Sequence, residues 1–268
     1  PHTGQVKVAQ DLRDLLKDSK RTRTRESLQR TIDMYNEDVK HIDDNVQDVY
    51  SIRCIPQIVG PVYDTIENTV KVVETEINSV TDNPIVDIKQ KKFLHGGNFH
   101  GDYVSLEMDK LKIALSRLAY LAERQINFFV NPNINKKNPP FLNMGKVGLN
   151  LGVQGLQFVA TSTTAEIQTM CYPNYVHSIP TNGDNQDIVS MGTNSALITD
   201  KVIDSVYDVF VVKVIALSQL FELEELSDSS PFSNLYAETN KILPAIKEDR
   251  DLTKSLSSIK RYLLTFKA

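Results

Sequence analysis

Tryptophan is absent from these 268 residues. An aromatic belt at a membrane interface therefore has little to be built from. No uninterrupted apolar run approaches the roughly 20 residues of a membrane-spanning helix. Cysteine occurs only as Cys54 and Cys171. Two thiols cannot form a disulfide framework, and both stand among apolar neighbours, which predicts buried thiols in a reducing compartment. A basic excess is missing too: 30 Lys and Arg against 34 Asp and Glu leave a formal net charge of −4. That balance lacks the cationic surface nucleic acid demands. No signal-peptide pattern opens the chain. The expected setting is the cytoplasm, with neither membrane nor nucleic acid as a partner. His95, His100 and His177 have no ligand-like spacing to cysteines or carboxylates, so no metal site is expected. Gly96-Gly97-Asn98 lacks the rest of any nucleotide motif.

What is present is helical periodicity. Val6, Val8, Ala9, Leu12, Leu15 and Leu16 repeat near 3.6 residues and predict an opening amphipathic helix. Residues 18–41 are rich in charge and read as exposed, with a weak helix over about 25–35. Residues 48–80 carry a long apolar stripe through Ile58, Val62, Ile66, Val70, Val73 and Ile77, interrupted near Pro56 and Pro61, where a kink or break is expected. Residues 85–94 alternate and predict a short hairpin. Further helices are expected over 101–130, 149–171 and 185–225. The third is lined by small residues that let helices approach closely, and the fourth is apolar nearly all round. One or two short amphipathic helices follow over 235–267. The pattern is all-α, a long-helix bundle with one extended hairpin, without repeats or a clear linker.

The stretch Gln47-Asp48-Val49-Tyr50-Ser51-Ile52-Arg53-Cys54-Ile55-Pro56-Gln57 is the chemically dense part. On a helix Gln47, Tyr50 and Arg53 share one face. A buried polar face must be either a satisfied network or a binding site. The residues alone leave both open: Tyr50 with its hydroxyl satisfied, Arg53 in an internal salt bridge, and Asn98-Phe99-His100 as a plain turn between glycines.

This motif resembles that of the aromatic amino acid ammonia-lyases and 2,3-aminomutases. Three further segments agree in order: Asn78-Ser79-Val80-Thr81-Asp82-Asn83-Pro84, Gly96-Gly97-Asn98-Phe99-His100-Gly101, and Ser178-Ile179-Pro180-Thr181 running into Asn185-Gln186-Asp187-Ile188-Val189-Ser190-Met191-Gly192. The resemblance covers nearly the whole chain and implies the long-helix bundle of the ammonia-lyase (fumarase/aspartase-like) type. It implies that residues 1–268 are the C-terminal portion of a protein roughly twice as long. The central bundle would span about 48–225 and the short terminal helices about 232–268, with the N-terminal part absent.

The implied reaction eliminates ammonia from an aromatic amino acid to give an α,β-unsaturated acid. The family's electrophile is 4-methylideneimidazol-5-one (MIO), formed from an Ala-Ser-Gly tripeptide. This chain has no Ala-Ser-Gly, and no Gly in it follows a Ser; the tripeptide is expected outside the segment. By motif position the resemblance makes Tyr50 and Gln186 catalytic, Gln186 near the substrate amine. It makes Arg53 the clamp on the substrate carboxylate, with Asn182 and Asn185 also on the substrate. It places Gln47 and Phe99 beside the prosthetic group. A phenol near pKa 10 can move a proton when its neighbours tune it, and a guanidinium fork suits bidentate carboxylate binding.

The substrate signals conflict. Histidine lyases carry Glu in an Asn-Gln-Glu-Asp run followed by His, whereas Asp184-Asn185-Gln186-Asp187-Ile188 resembles phenylalanine and tyrosine enzymes and the aminomutases. Arg53-Cys54-Ile55-Pro56-Gln57 instead resembles bacterial histidine and tyrosine enzymes. Lyase, aminomutase and a non-catalytic helical assembly module of the same fold all remain readings of this segment. The family also implies a homotetramer whose sites draw residues from more than one subunit. The apolar side chains of residues 198–220 are expected between subunits, and Tyr50 and Arg53 of one chain are expected to face Gln186 of another. Because the chain lacks the tripeptide, the segment alone is expected to be catalytically silent. Incubating it with His, Phe and Tyr while following ultraviolet absorbance checks this, and appreciable unsaturated acid would contradict it.

Overall fold

The computed structural model describes residues 1–19, 21–22, 47–226 and 232–266. The helix expected over 25–35 lies outside the described residues. Helix α1 (Thr3–Leu16) opens the chain and packs on α3 (Ile55–Ile77). The crossing is in backbone contact. A Cβ on Gly4 would come within 2.3 Å of the Gly60 carbonyl oxygen, and one on Gly60 within 2.5 Å of the Gln5 nitrogen. Only two glycines facing each other permit that approach.

Between them the single turn α2 (Tyr50–Arg53) precedes α3. The helix expected from residue 48 is broken at Cys54, where φ is −107° and ψ 20°. Pro56 explains the break: it has no N–H for the ladder, and its ring crowds the preceding turn. α3 then runs on through Pro61 to Ile77. Gln47 is not helical. It sits three residues ahead of α2, and Val49 caps the turn in extended conformation, so the expected shared face reduces to Tyr50 and Arg53.

The hairpin β1 (Ile85–Asp87) and β2 (Lys92–Leu94) forms as expected, with Ile85 opposite Leu94. It leads into α4 (Asp102–Val130), which matches its sequence expectation closely. The short α5 (Pro132–Asn135) follows, then α6 (Gln154–Met170), α7 (Gly192–Leu223), α8 (Ser233–Ile242) and α9 (Thr253–Thr265).

Two helices start later than periodicity suggests. Gly148 and Gly152 adopt φ of 86° and 60°, so residues 147–153 fold as a turn and α6 begins at Gln154, not at 149. Asn182, Gly183, Asp184 and Met191 are all left-handed (φ 54° to 64°), so α7 begins at Gly192, not at 185. Left-handed residues cannot continue a right-handed helix.

The core is the contact of α4, α6 and α7. Ala119, Ile126, Ala160, Ile167, Val202, Val209 and Ala216 are fully buried there. Hydrogen bonds fix the directions. Ser105 meets Ser195, the Met108 carbonyl accepts from Thr199, and Gln125 meets Lys213, so α4 and α7 run parallel in a steady register. Gln157 bonds Asn127, Thr161 bonds Glu123, and Cys171 bonds the Lys112 carbonyl, so α6 runs against α4. Lys260 on α9 bridges Asp204 and Asp208 on α7, each at 2.8 Å.

Val202, Val209, Val212 and Ile215 are buried within this one chain. The stretch expected between subunits is therefore covered largely by its own α4 and α6. Bare apolar side chains lie elsewhere: Leu197 on α7, Phe158 and Val159 on α6, and Leu149 and Leu151 before it. Among the described residues, no helix is long and apolar enough to cross a membrane.

Candidate active site

The candidate residues fall into two groups. Tyr50 and Arg53 sit one turn apart on α2, and the Arg53 guanidinium carbon lies 4.6 Å from the centre of the Tyr50 ring. This cation–π contact occupies the flat face of the guanidinium. The fork of N–H donors at its edge stays open, and among the described residues no carboxylate pairs with it. Tyr50 is 67% exposed, so the expected buried polar face is instead an open one. Gln47 is exposed in the segment just ahead of them. An open cavity of about 500 Å³ adjoins Tyr50, with Arg117, Tyr120, Arg124 and Phe128 of α4 on its far side.

The second group gathers where α4 and α7 begin. Phe99, 51% exposed, lies in the turn between β2 and α4. Asn182 and Asn185 belong to a tight loop closed by reciprocal backbone bonds between Thr181 and Gln186, at 3.1 and 3.3 Å. The left-handed run Asn182–Gly183–Asp184 makes that loop possible, and Gly and Asn tolerate the conformation best. Asn182, Asn185 and Gln186 all face solvent.

Both ends of this loop are pinned to α4. Upstream, Lys112 is completely buried, and its Nζ lies 2.7 Å from Asp109 and donates to the Tyr172 carbonyl at 2.9 Å. Asp109 in turn accepts from the Tyr175 amide at 2.7 Å. Cys171 donates its S–H to the Lys112 carbonyl, and burial pushes its thiol pKa up. Downstream, the His100 Nε2–H donates to the Ile188 carbonyl at 3.0 Å, and Ser105 donates to the Ser190 carbonyl at 2.6 Å. With its hydrogen so committed, Ser105 must accept from Ser195, 3.2 Å away.

The chain does not bring the two groups together. Ser51 is tied to Gln125 and Ser190 to Ser105, twenty residues apart along α4. At about 1.5 Å per residue that is roughly 30 Å. Tyr50 and Arg53 therefore stand at one end of the α4–α7 pair, and Phe99 and Gln186 at the other.

Residues 1–241 match the family model for aromatic amino acid lyase. The chain belongs to that family. A tyrosine 2,3-aminomutase from Myxococcus fulvus is 36% identical over 267 residues, which is 98% of this chain and 51% of the relative. Histidine ammonia-lyase 1 from Fusobacterium nucleatum subsp. nucleatum is 38% identical over 253 residues, 94% of this chain and 46% of that protein. The solved phenylalanine aminomutase of Pantoea agglomerans superposes with a TM-score of 0.91 at 35% identity, over 99% of this chain and 52% of that one. This lyase-family chain spans about half the length of the curated relatives it matches.

Sequence reasoning missed the interior polar groups that hold the family's motif residues in place. Lys112 stands between Leu111 and Ile113, and Lys213 is the only charge between Asp208 and Glu222. A lone charge at a position that periodicity places inside was the available signal. The Lys112–Asp109 pair is the sharper case, because removing one partner leaves a buried charge unpaired. Lys112→Met is expected to cost about 3–5 kcal/mol, with stability recovered in part by adding Asp109→Asn. Chemical denaturation of the parent and the two variants measures this. Parent-like stability of Lys112→Met would contradict it.

Proposed function

We propose that this chain is the C-terminal portion of an MIO-dependent aromatic amino acid ammonia-lyase, with a 2,3-aminomutase as the second reading. The observation that carries the proposal is the exposed Tyr50–Arg53 pair, with no carboxylate on the guanidinium edge among the described residues, in a chain of this family. Elimination needs an anchored carboxylate, a group that moves the β-proton, and a way for the amine to leave. Arg53 can take the carboxylate with two parallel N–H bonds, which fixes position and angle together. Tyr50 Oη is free to transfer a proton, being neither buried nor bound to a described partner. Gln186 offers an uncharged amide suited to an amine, and Asn182 and Asn185 offer further amides on the same loop.

The donor set also fits MIO. Phe99 presents a half-exposed ring to lie beside a flat heterocycle, and Gln47 an exposed amide for its polar edge. The chain lacks the Ala-Ser-Gly precursor, so the group would come from another part of the intact protein. When bound, it supplies the electrophile that makes the substrate amine a better leaving group.

The 30 Å separation within one chain supports a site completed between copies. The bare apolar residues Phe158, Leu149, Leu151 and Leu197 give such copies a surface to share. We assign a homotetramer on that basis, working in the cytoplasm, where the free thiols Cys54 and Cys171 are at home. The aminomutase reading is favoured by the tyrosine 2,3-aminomutases and the phenylalanine aminomutase among the relatives. Histidine, tyrosine and phenylalanine enzymes match at similar identity, so the ring of the substrate stays a choice among those three.

The test is turnover by the full-length protein with Tyr, Phe and His, measuring unsaturated acid, β-amino acid and ammonia. One of the three is expected to react. Tyr50→Phe removes only a hydroxyl and is expected to lower kcat by about 10²-fold or more with the fold intact. Arg53→Lys keeps the charge but loses the fork, for a loss of about 1–3 kcal/mol in kcat/KM. Full activity in Tyr50→Phe, or no reaction with any of the three by protein carrying the electrophile, would contradict the assignment.

A further inference from the structure

α2 is only four residues long, and one turn of helix cannot hold its own shape in water. At its caps, Ile52 and Arg53 donate to the Val49 carbonyl and Cys54 donates to the Tyr50 carbonyl. The break at Cys54 leaves the Ser51 carbonyl to a side chain from elsewhere in the fold. Gln125 of α4, 5% exposed, donates to it from Nε2 at 2.8 Å. Among the described residues this is the only side-chain hydrogen bond from the body of the protein to α2.

The other end of the same amide is equally committed. Gln125 Oε1 accepts from Lys213 Nζ on α7 at 2.5 Å. Burial pushes the Lys213 amine down to about 8, so near pH 7 it remains largely an ammonium, a donor with nothing to accept. The Ser51 carbonyl is an acceptor with nothing to donate. An amide has one end of each kind, so one orientation satisfies both neighbours. The flipped amide would set donor against donor and acceptor against acceptor, inside the protein where unmet polar groups cost most.

We propose that Gln125, oriented by Lys213, is a positioning residue that places Tyr50 and Arg53 for the reaction. Its catalytic part rests on the lyase or aminomutase reading above. Gln125 acts by holding the backbone between Tyr50 and Arg53. A contact on the Ser51 carbonyl, one residue after Tyr50 and two before Arg53, fixes both at once.

The discriminating variant is Gln125→Glu. It keeps the volume and the packing, and its carboxylate draws Lys213 more strongly. It has no hydrogen for the Ser51 carbonyl, so α2 is repelled while α4 and α7 stay joined. Hydrogen exchange on the full-length protein is expected to show the Arg53 and Cys54 amides exchanging at least tenfold faster. Amides in the middle of α4 and α7, and the overall helicity, are expected to be unchanged. A purely structural role would instead loosen α4 and α7. Turnover in the same variant is expected to fall at least tenfold in kcat/KM. Unchanged exchange at Arg53 and Cys54 overturns the proposal. So does faster exchange with parental kcat/KM in an enzyme that Tyr50→Phe inactivates. Should Gln125→Glu lose its helicity, Lys213→Met takes its place: it frees the amide to flip, with the same local exchange expected and the same null result overturning. The exchange measurement needs no substrate. If the full-length protein turns over none of the three amino acids, the lyase reading fails, and exchange alone decides whether Gln125 holds α2.

Discussion

The parallel register of α4 and α7 is the constraint on which the rest of this chain depends. Two parallel helices need a long return, and α6 provides it, running antiparallel between them. The register is held by polar rungs inside an apolar core: Ser105 with Ser195, the Met108 carbonyl with Thr199, Gln125 with Lys213. Apolar packing alone tolerates sliding by a turn, since Val and Leu faces are interchangeable. A buried hydrogen bond does not, because slippage strands its partners. Two of these rungs lie one turn apart near the start of α4 and the third lies seventeen residues on, so the register is fixed over some 30 Å by few contacts.

Each end of this frame carries one part of the candidate chemistry. At the end where both helices begin, His100, Ser105 and the Lys112–Asp109 pair fasten the loop bearing Asn182, Asn185 and Gln186, near Phe99. Toward the other end, Gln125 fastens α2 with Tyr50 and Arg53. A spacer of that length keeps the two sets apart within one chain. Tyr50 and Phe99 are both more than half exposed in the single chain.

Much of the bundle was legible because its helices carry regular apolar spacing bounded by strong punctuation. α4 runs from just after Gly101 to Val130, beside Asn131-Pro132, and the hairpin lies between Asn83-Pro84 and Gly96-Gly97. The starts of α6 and α7 were not legible. Leu149, Leu151 and Ile188 continue the apolar spacing, while left-handed backbone at Gly152, Asp184 and Met191 stops the helix. A non-glycine residue such as Met191 gives no sign in its side chain that its φ will be positive. The family motif led to Tyr50, Arg53, Phe99 and Gln186 by position. The resemblance put Tyr50 and Arg53 of one chain opposite Gln186 of another, but gave no measure of their distance within one chain, which arises from α4 and α7. Lys112, Gln125 and Lys213 were passed over because each lies within a run whose apolar pattern already accounted for the helix.

The central claim is that a working site combines α2 of one chain with the Gln186 loop of another. Complementation tests it most directly. Full-length protein inactivated by Tyr50→Phe is mixed with protein inactivated by Gln186→Ala, under conditions where subunit exchange is demonstrated by mass. Mixed oligomers contain sites with both native residues if the parts come from different chains, and the account predicts recovered turnover. If exchange is complete and turnover stays absent, each site is built within one chain, and the 30 Å separation seen here would not describe the working enzyme.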